Sequence, residues 1–230
     1  MGETVEFASN GNTASGYLAT SINGHGPGVI VVQEWWGLVP QVKRFCDRLA
    51  ASGFTALAPD LFHGDIAKHD EMDKAGHLMS TLPMDRAARD MNGAIDFLLA
   101  HHAVNGKGVG VIGFCMGGML TLVLASQQGD RVKVAVPFYG APLGDNEPDW
   151  SNLTAVVRGH YAENDDFFPP DAVQALAQKL RGMGKDVELT VYPGRGHAFC
   201  NEDNALGTYD EADSEKALTA TITSLHDYLP

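Results

Sequence analysis

Three cysteines, Cys46, Cys115 and Cys200, are all that 230 residues contain. So low and odd a count excludes a disulfide framework as the source of stability. Basic residues are also short: 16 Lys and Arg stand against 29 Asp and Glu, a formal net charge of −13. Nucleic-acid binding needs a basic footprint, so no nucleic-acid partner is expected. No apolar run approaches the roughly 20 residues needed to cross a bilayer. The opening MGETVEFASNG has neither the basic nor the apolar segment of a secretory signal. The expectation is a soluble, cytoplasmic protein with no membrane association. Nine histidines are present, but no pair has convincing metal-ligand spacing, so neither a metal nor a cofactor is expected. No internal repeat and no low-complexity linker divides the chain.

What the sequence does have is alternation. Hydrophobic residues make up 44%, enough for a sizeable core, and they fall into short β-branched runs separated by longer helical patterns. Residues 3–8 and 13–20 read as a hairpin joined by Ser9-Asn10-Gly11-Asn12, a turn signal. Residues 28–34 form a run with almost no polar alternation, as expected of a strand covered on both faces. Further strands are expected at 55–59, 109–112, 132–138, 154–159 and 187–192. Helices are expected at 40–52, 84–102, 115–127, 170–183 and 211–228. Residues 60–83 are polar and irregular, an excursion that could act as a cap or lid. The reading is a single α/β domain over 1–230, with a mostly parallel central sheet, helices on both faces and an N-terminal antiparallel hairpin.

In such sheets ligands sit beyond the carboxyl ends of the strands, so the residues that follow strands are the ones to inspect. Gly113-Phe114-Cys115-Met116-Gly117 lies between a strand and a helix, the pattern of a nucleophile elbow with cysteine in place of serine. A helix N-terminus beneath the sulfur favours thiolate, and the N–H of Met116 is placed to face a developing oxyanion. The plainer alternative is that Cys115 is a small buried residue in a tight turn. His197, in Gly194-Arg195-Gly196-His197, follows the strand at 187–192 and could serve as the base. His160, at the end of the strand at 154–159, reads as a packed neighbour. Asp165 is the expected acid and Asp166 the alternative, with Asp166 better placed to cap the proline-started helix. Glu34, at the end of the strand 28–34, is either catalytic or a strand-end salt bridge. The order nucleophile, acid, histidine is that of α/β-hydrolases.

With Gln33-Glu34-Trp35-Trp36-Gly37, Ala58-Pro59-Asp60-Leu61-Phe62, Gly113–Gly118, Asp165–Pro169 and Tyr192–Phe199 all in order, the chain resembles the dienelactone hydrolase (carboxymethylenebutenolidase) family. The resemblance implies a cysteine-dependent hydrolase of small carboxylic esters or lactones, acting through Cys115, Asp165 and His197 and a thioester. It implies that Glu34 holds the thiol proton and that the N–H groups of Met116 and Trp35 form the oxyanion hole. Trp36, Phe114, Phe199 and Asn201 are then the expected substrate-binding residues. Asn201 is a departure, because lactone-cleaving members carry a carboxylate-binding arginine there. A second family arginine is missing from 63–68, and Arg86 and Arg89 come only later. The partner expected is a small-molecule ester or lactone, and the chain a monomer or weak dimer. A competing reading is a non-catalytic thiol-redox or small-molecule-binding protein on a hydrolase scaffold, with Cys200 as a resolving thiol.

Overall fold

A two-residue turn opens the architecture. In the computed structural model, which describes residues 2–229, β1 (Glu3–Ser9) and β2 (Asn12–Ala19) pair antiparallel with Ser9 opposite Asn12. Asn10 and Gly11 both take positive φ, 43° and 88°. That is the backbone of a type I′ turn, whose twist matches that of the strands it joins.

The chain continues as β3 (Gly26–Val32), α1 (Pro40–Ala51), β4 (Thr55–Pro59), α2 (Met72–Ser80), α3 (Met84–Ala100), β5 (Val104–Phe114), α4 (Met116–Gln128), β6 (Val132–Phe138), β7 (Val156–Asn164), α5 (Pro170–Gly182), β8 (Val187–Gly196) and α6 (Glu211–Tyr228). The strand order is β1-β2-β4-β3-β5-β6-β7-β8. The hairpin and the β2–β4 pair are antiparallel; β3–β4, β6–β7 and β7–β8 are parallel. This is the mixed α/β sheet that the alternation predicts. Among the described residues, no helix is long and apolar enough to cross a membrane.

Two compact units divide the chain, one ending at Gly110 and one running Val111–Leu229. In the first, Val29, Ile30, Val31 and Val32 of β3 are fully buried, which explains why that run shows no polar alternation. α1 begins with Pro40 at its first position, where the missing N–H costs nothing, and it packs against β4 and β2. In the second unit α4 packs on β6, and α5 on β8 and β7. The last helix, α6, is capped by Asp210, whose carboxylate accepts the Asp213 N–H at 3.0 Å.

Several bounds differ from the sequence reading. β3 stops at Val32, leaving Gln33 and Glu34 just beyond it. β5 is longer than 109–112, because a polar stretch, Asn105–Lys107, still extends as strand. β7 runs to Asn164 rather than 159, so His160 lies inside the strand. β8 continues through Pro193 to Gly196. Proline is tolerated there because β8 is the last strand of the sheet, with one side free of a ladder partner. The irregular stretch 60–83 contains one helix of nine residues, α2.

Candidate active site

The parallel register of β7 and β8 sets Asn164 opposite Gly196. The next residues, Asp165 and His197, therefore leave the sheet side by side. His197 Nδ1 and Asp165 Oδ2 lie 2.8 Å apart, and both side chains are buried. The other carboxylate oxygen, Oδ1, accepts the N–H groups of Phe167 at 2.9 Å and Phe168 at 3.0 Å. Asp165 is thus held as an acceptor of three hydrogen bonds and fixes the ring of His197. On its far side the His197 carbonyl accepts the Thr208 hydroxyl at 2.5 Å. Asp166 is exposed. The expected role of Asp166 as a helix cap is not found, because Pro169 is the N-cap of α5 and makes no side-chain cap bond. The turn that Asp165 closes has already taken the N–H groups of Phe167 and Phe168.

Cys115 sits at the opposite end of the same logic. It lies between β5 and α4 with φ 54° and ψ −118°, a backbone conformation that is costly for a residue with a Cβ and typical of a strained elbow. Its N–H donates to Phe138 O at 3.0 Å, and its carbonyl accepts Gly118 N–H at 2.9 Å and Met119 N–H at 3.2 Å. The surrounding glycines are required by space. A Cβ on Gly113 would lie 2.1 Å from Gly117 O, and one on Gly140 would lie 1.9 Å from Cys115 O. Met116 is the first helical residue of α4, a position whose N–H has no intrahelical acceptor. The side chain of Cys115 is half-buried.

Tyr139, which follows β6 with φ 36°, packs against His197. Its ring meets His197 edge-on at 5.2 Å and Phe199 at 5.7 Å. Phe167 lies 4.9 Å from the His197 ring and Phe168 stacks on it at 5.9 Å. The imidazole is therefore walled by three aromatic rings that the sequence reading did not single out. The strand-end rule could have found Tyr139, and Phe167 and Phe168 follow the acid directly. His160 is buried behind this wall, 4.7 Å from Phe138, with its nitrogens at 3.0 Å from Tyr192 Oη and 3.2 Å from Thr221 Oγ1. Burial pushes it down to about 4, so it is neutral near pH 7.

Of the expected substrate-binding residues, Phe114 is fully buried and packs on Phe138 at 4.8 Å, and Phe199 is fully buried against Tyr192 at 4.7 Å. Asn201 is buried and folded back on its own loop, with Oδ1 accepting Asp203 N–H at 3.1 Å. The arginine nearest in sequence, Arg195, is held by Asp210 and by Asp213, the latter at 3.1 Å. None of the three cysteines forms a disulfide.

The first unit carries Glu34, Trp35 and Trp36. Glu34 is buried, and its carbonyl accepts Gly37 N–H at 3.2 Å. Trp36 is buried, 5.0 Å from Trp35 and 5.0 Å from His69. His69 is therefore half-buried against an indole rather than on the open surface. The Trp36 carbonyl accepts Ala67 N–H at 2.9 Å, and Leu61 N–H reaches Gln33 Oε1 at 3.2 Å. Those two bonds tie the 60–83 excursion to the strand end. Arg86 donates to Leu61 O at 3.2 Å and Arg89 pairs with Asp85 at 2.7 Å.

The sequence pattern of the dienelactone hydrolase family matches residues 14–229. The chain belongs to the dienelactone hydrolase family. Among its relatives, "Protein usf" of Aquifex pyrophilus is 39% identical over the full length of both chains. The "Putative carboxymethylenebutenolidase" of Aquifex aeolicus (strain VF5) is 35% identical, again over both full lengths. Among solved structures, the "Putative Dienelactone Hydrolase" from Klebsiella pneumoniae subsp. pneumoniae MGH 78578 superposes with a TM-score of 0.86 at 29% identity, over 99% of this chain and 100% of that one. As a member of the dienelactone hydrolase family, the protein is an α/β-hydrolase-fold enzyme of the ester and lactone type.

Proposed function

We infer that the enzyme hydrolyses small carboxylic esters or lactones by covalent catalysis on Cys115, with His197 as acid–base and Asp165 as its orienting carboxylate. One observation carries this reading: the 2.8 Å Asp165–His197 bond lies in the same compact unit as a cysteine held on a strained elbow. With Nδ1 committed to Asp165, Nε2 is the nitrogen left for proton transfer.

The steps follow. The Cys115 thiol gives its proton to His197 Nε2 as its sulfur attacks the acyl carbonyl, and the carbonyl oxygen becomes an oxyanion facing the N–H of Met116. The tetrahedral adduct collapses, the C–O bond breaks, and the protonated His197 gives its Nε2 proton to the leaving alkoxide. A thioester on Cys115 remains. Water then attacks it, His197 takes the water's proton, and the C–S bond breaks to release the acid. The family resemblance adds Glu34 as holder of the thiol proton in the resting enzyme, until substrate arrives, and the Trp35 N–H as the second oxyanion donor, and both belong to the proposal. So does a cytoplasmic setting.

The test is an ester and lactone panel on wild type and Cys115→Ala. The reading expects the alanine variant to lose at least about 10³-fold in kcat, as nucleophile removal does elsewhere. Unchanged hydrolysis by Cys115→Ala would end it.

A further inference from the structure

We propose that Phe167 determines specificity on the leaving-group side of the site, and that the preferred substrates are uncharged esters whose alcohol carries an apolar, aryl-type group. The inference rests on the hydrolytic reading above and names the substrate class for that same site.

Phe167 is 64% exposed, the one aromatic among the exposed large apolar side chains of the described residues. Its place is not a matter of a loose loop. Its N–H is bonded to Asp165 Oδ1 at 2.9 Å, and its ring lies 4.9 Å from that of His197 at an interplanar angle of 51°. The triad acid thus positions an exposed apolar surface directly against the imidazole. His197 must bring Nε2 within hydrogen-bonding reach of the departing oxygen to protonate it. The group carried on that oxygen therefore runs alongside what flanks the imidazole, and of the three flanking rings the exposed one is Phe167. Phe168, stacked on the same ring, keeps the imidazole from turning away.

The charges nearby have one sign. Glu163 and Asp166 flank Phe167 in sequence and are exposed, and so are Glu202 and Asp203 in the loop after His197. Neither 163–168 nor 197–210 contains a lysine or arginine. Arg195 is occupied by Asp210 and Asp213, and Asn201 is turned into its own loop. A carboxylate on the substrate's alcohol half would find no cation on those two segments and would face their like charge. An apolar ring would find a ring.

The experiment compares kcat/KM for the benzyl, para-carboxybenzyl and methyl esters of one acid. Their alcohols have similar acidity, so the chemical step is matched and the ratios report binding. In wild type the benzyl ester is expected to exceed the para-carboxybenzyl ester. Phe167→Ala should lower the benzyl-to-methyl ratio about three- to tenfold, the worth of one aromatic pair. Phe167→Leu, apolar but without a ring, should fall between. An unchanged ratio in Phe167→Ala, with Cys115→Ala inactive on both esters, overturns the role of Phe167 and leaves the hydrolytic reading standing. Equal rates on the benzyl and para-carboxybenzyl esters overturn the substrate class. Wild-type rates in Cys115→Ala would instead overturn the hydrolytic reading itself.

Discussion

Asparagine in place of Asp165 separates the two tasks of that carboxylate. Oδ1 holds the turn through Phe167 and Phe168, and Oδ2 holds His197. In one orientation the amide oxygen keeps both turn bonds and presents its NH₂ to His197 Nδ1. Nδ1 must then accept, which moves the ring proton to Nε2 and leaves no lone pair there. In the flipped orientation the NH₂ faces two N–H donors, leaving each unpaired at about 1–3 kcal/mol. The first orientation wins, the fold survives, and the base is lost. The step that needs a base, attack of water on the thioester, suffers most. The expected loss in kcat is about 10³- to 10⁴-fold, or about 4–5.5 kcal/mol of transition-state stabilisation. Stopped-flow release of the alcohol should show a fast burst near one equivalent and then slow turnover. Asp166→Asn, on an exposed carboxylate, is the control and should keep near-wild-type turnover. Asp165→Asn with more than roughly a tenth of wild-type kcat, or damage from Asp166→Asn instead, would refute this assignment.

Two further outcomes concern the scaffold of the site. Gly140→Ala would set a methyl group 1.9 Å from the Cys115 carbonyl and 2.9 Å from Met119 N; backbone cannot yield as a side chain can. It should cost about 1–3 kcal/mol or more, lowering Tm by roughly 2–12 °C and removing activity. Gly76→Ala in α2, where a Cβ meets nothing within 4 Å, should gain about 0.5–1 kcal/mol by helix propensity. A calorimetric scan that ranks the two variants the other way would contradict the elbow geometry. The second outcome is a pH dependence. Burial holds His160 neutral with its pKa lowered to about 4, whereas an unfolded imidazole titrates near about 6.5. Between those values the unfolded chain binds the extra proton, so this contribution is full above about 6.5 and is lost as pH falls towards 4. It amounts to about 3 kcal/mol. Urea unfolding from pH 7 to 4 should show a flatter decline for His160→Gln than for wild type, and equal slopes would refute it.

Much of the fold is legible in the sequence because the signals are local. Asn10-Gly11 dictates the first turn, Pro40 starts α1, and the apolar spacing of 211–228 gives α6. The chemistry is partly legible for the same reason, since a cysteine between glycines after a strand is a local pattern. What is not legible depends on register. The sequence favours Asp165 over its neighbour Asp166 without fixing the geometry, and it is the pairing of Asn164 with Gly196 that sets Asp165 beside His197. The strand read as ending at 192 continues through Pro193 because it lies at the sheet edge. The aromatic wall of Tyr139, Phe167 and Phe168 joins residues far apart in sequence, so no window along the chain contains it. Phe167 stands in the Asp165–Pro169 stretch, but nothing in that stretch says that its ring meets the imidazole.

The central claim is that acyl groups pass through the sulfur of Cys115. Its most direct test is mass spectrometry of Asp165→Asn quenched in acid within one turnover of an activated ester. The account predicts a mass gain of one acyl group, localised to the peptide carrying Cys115 and removed by neutral hydroxylamine. Turnover with no acyl adduct, or an adduct on another residue, would contradict it.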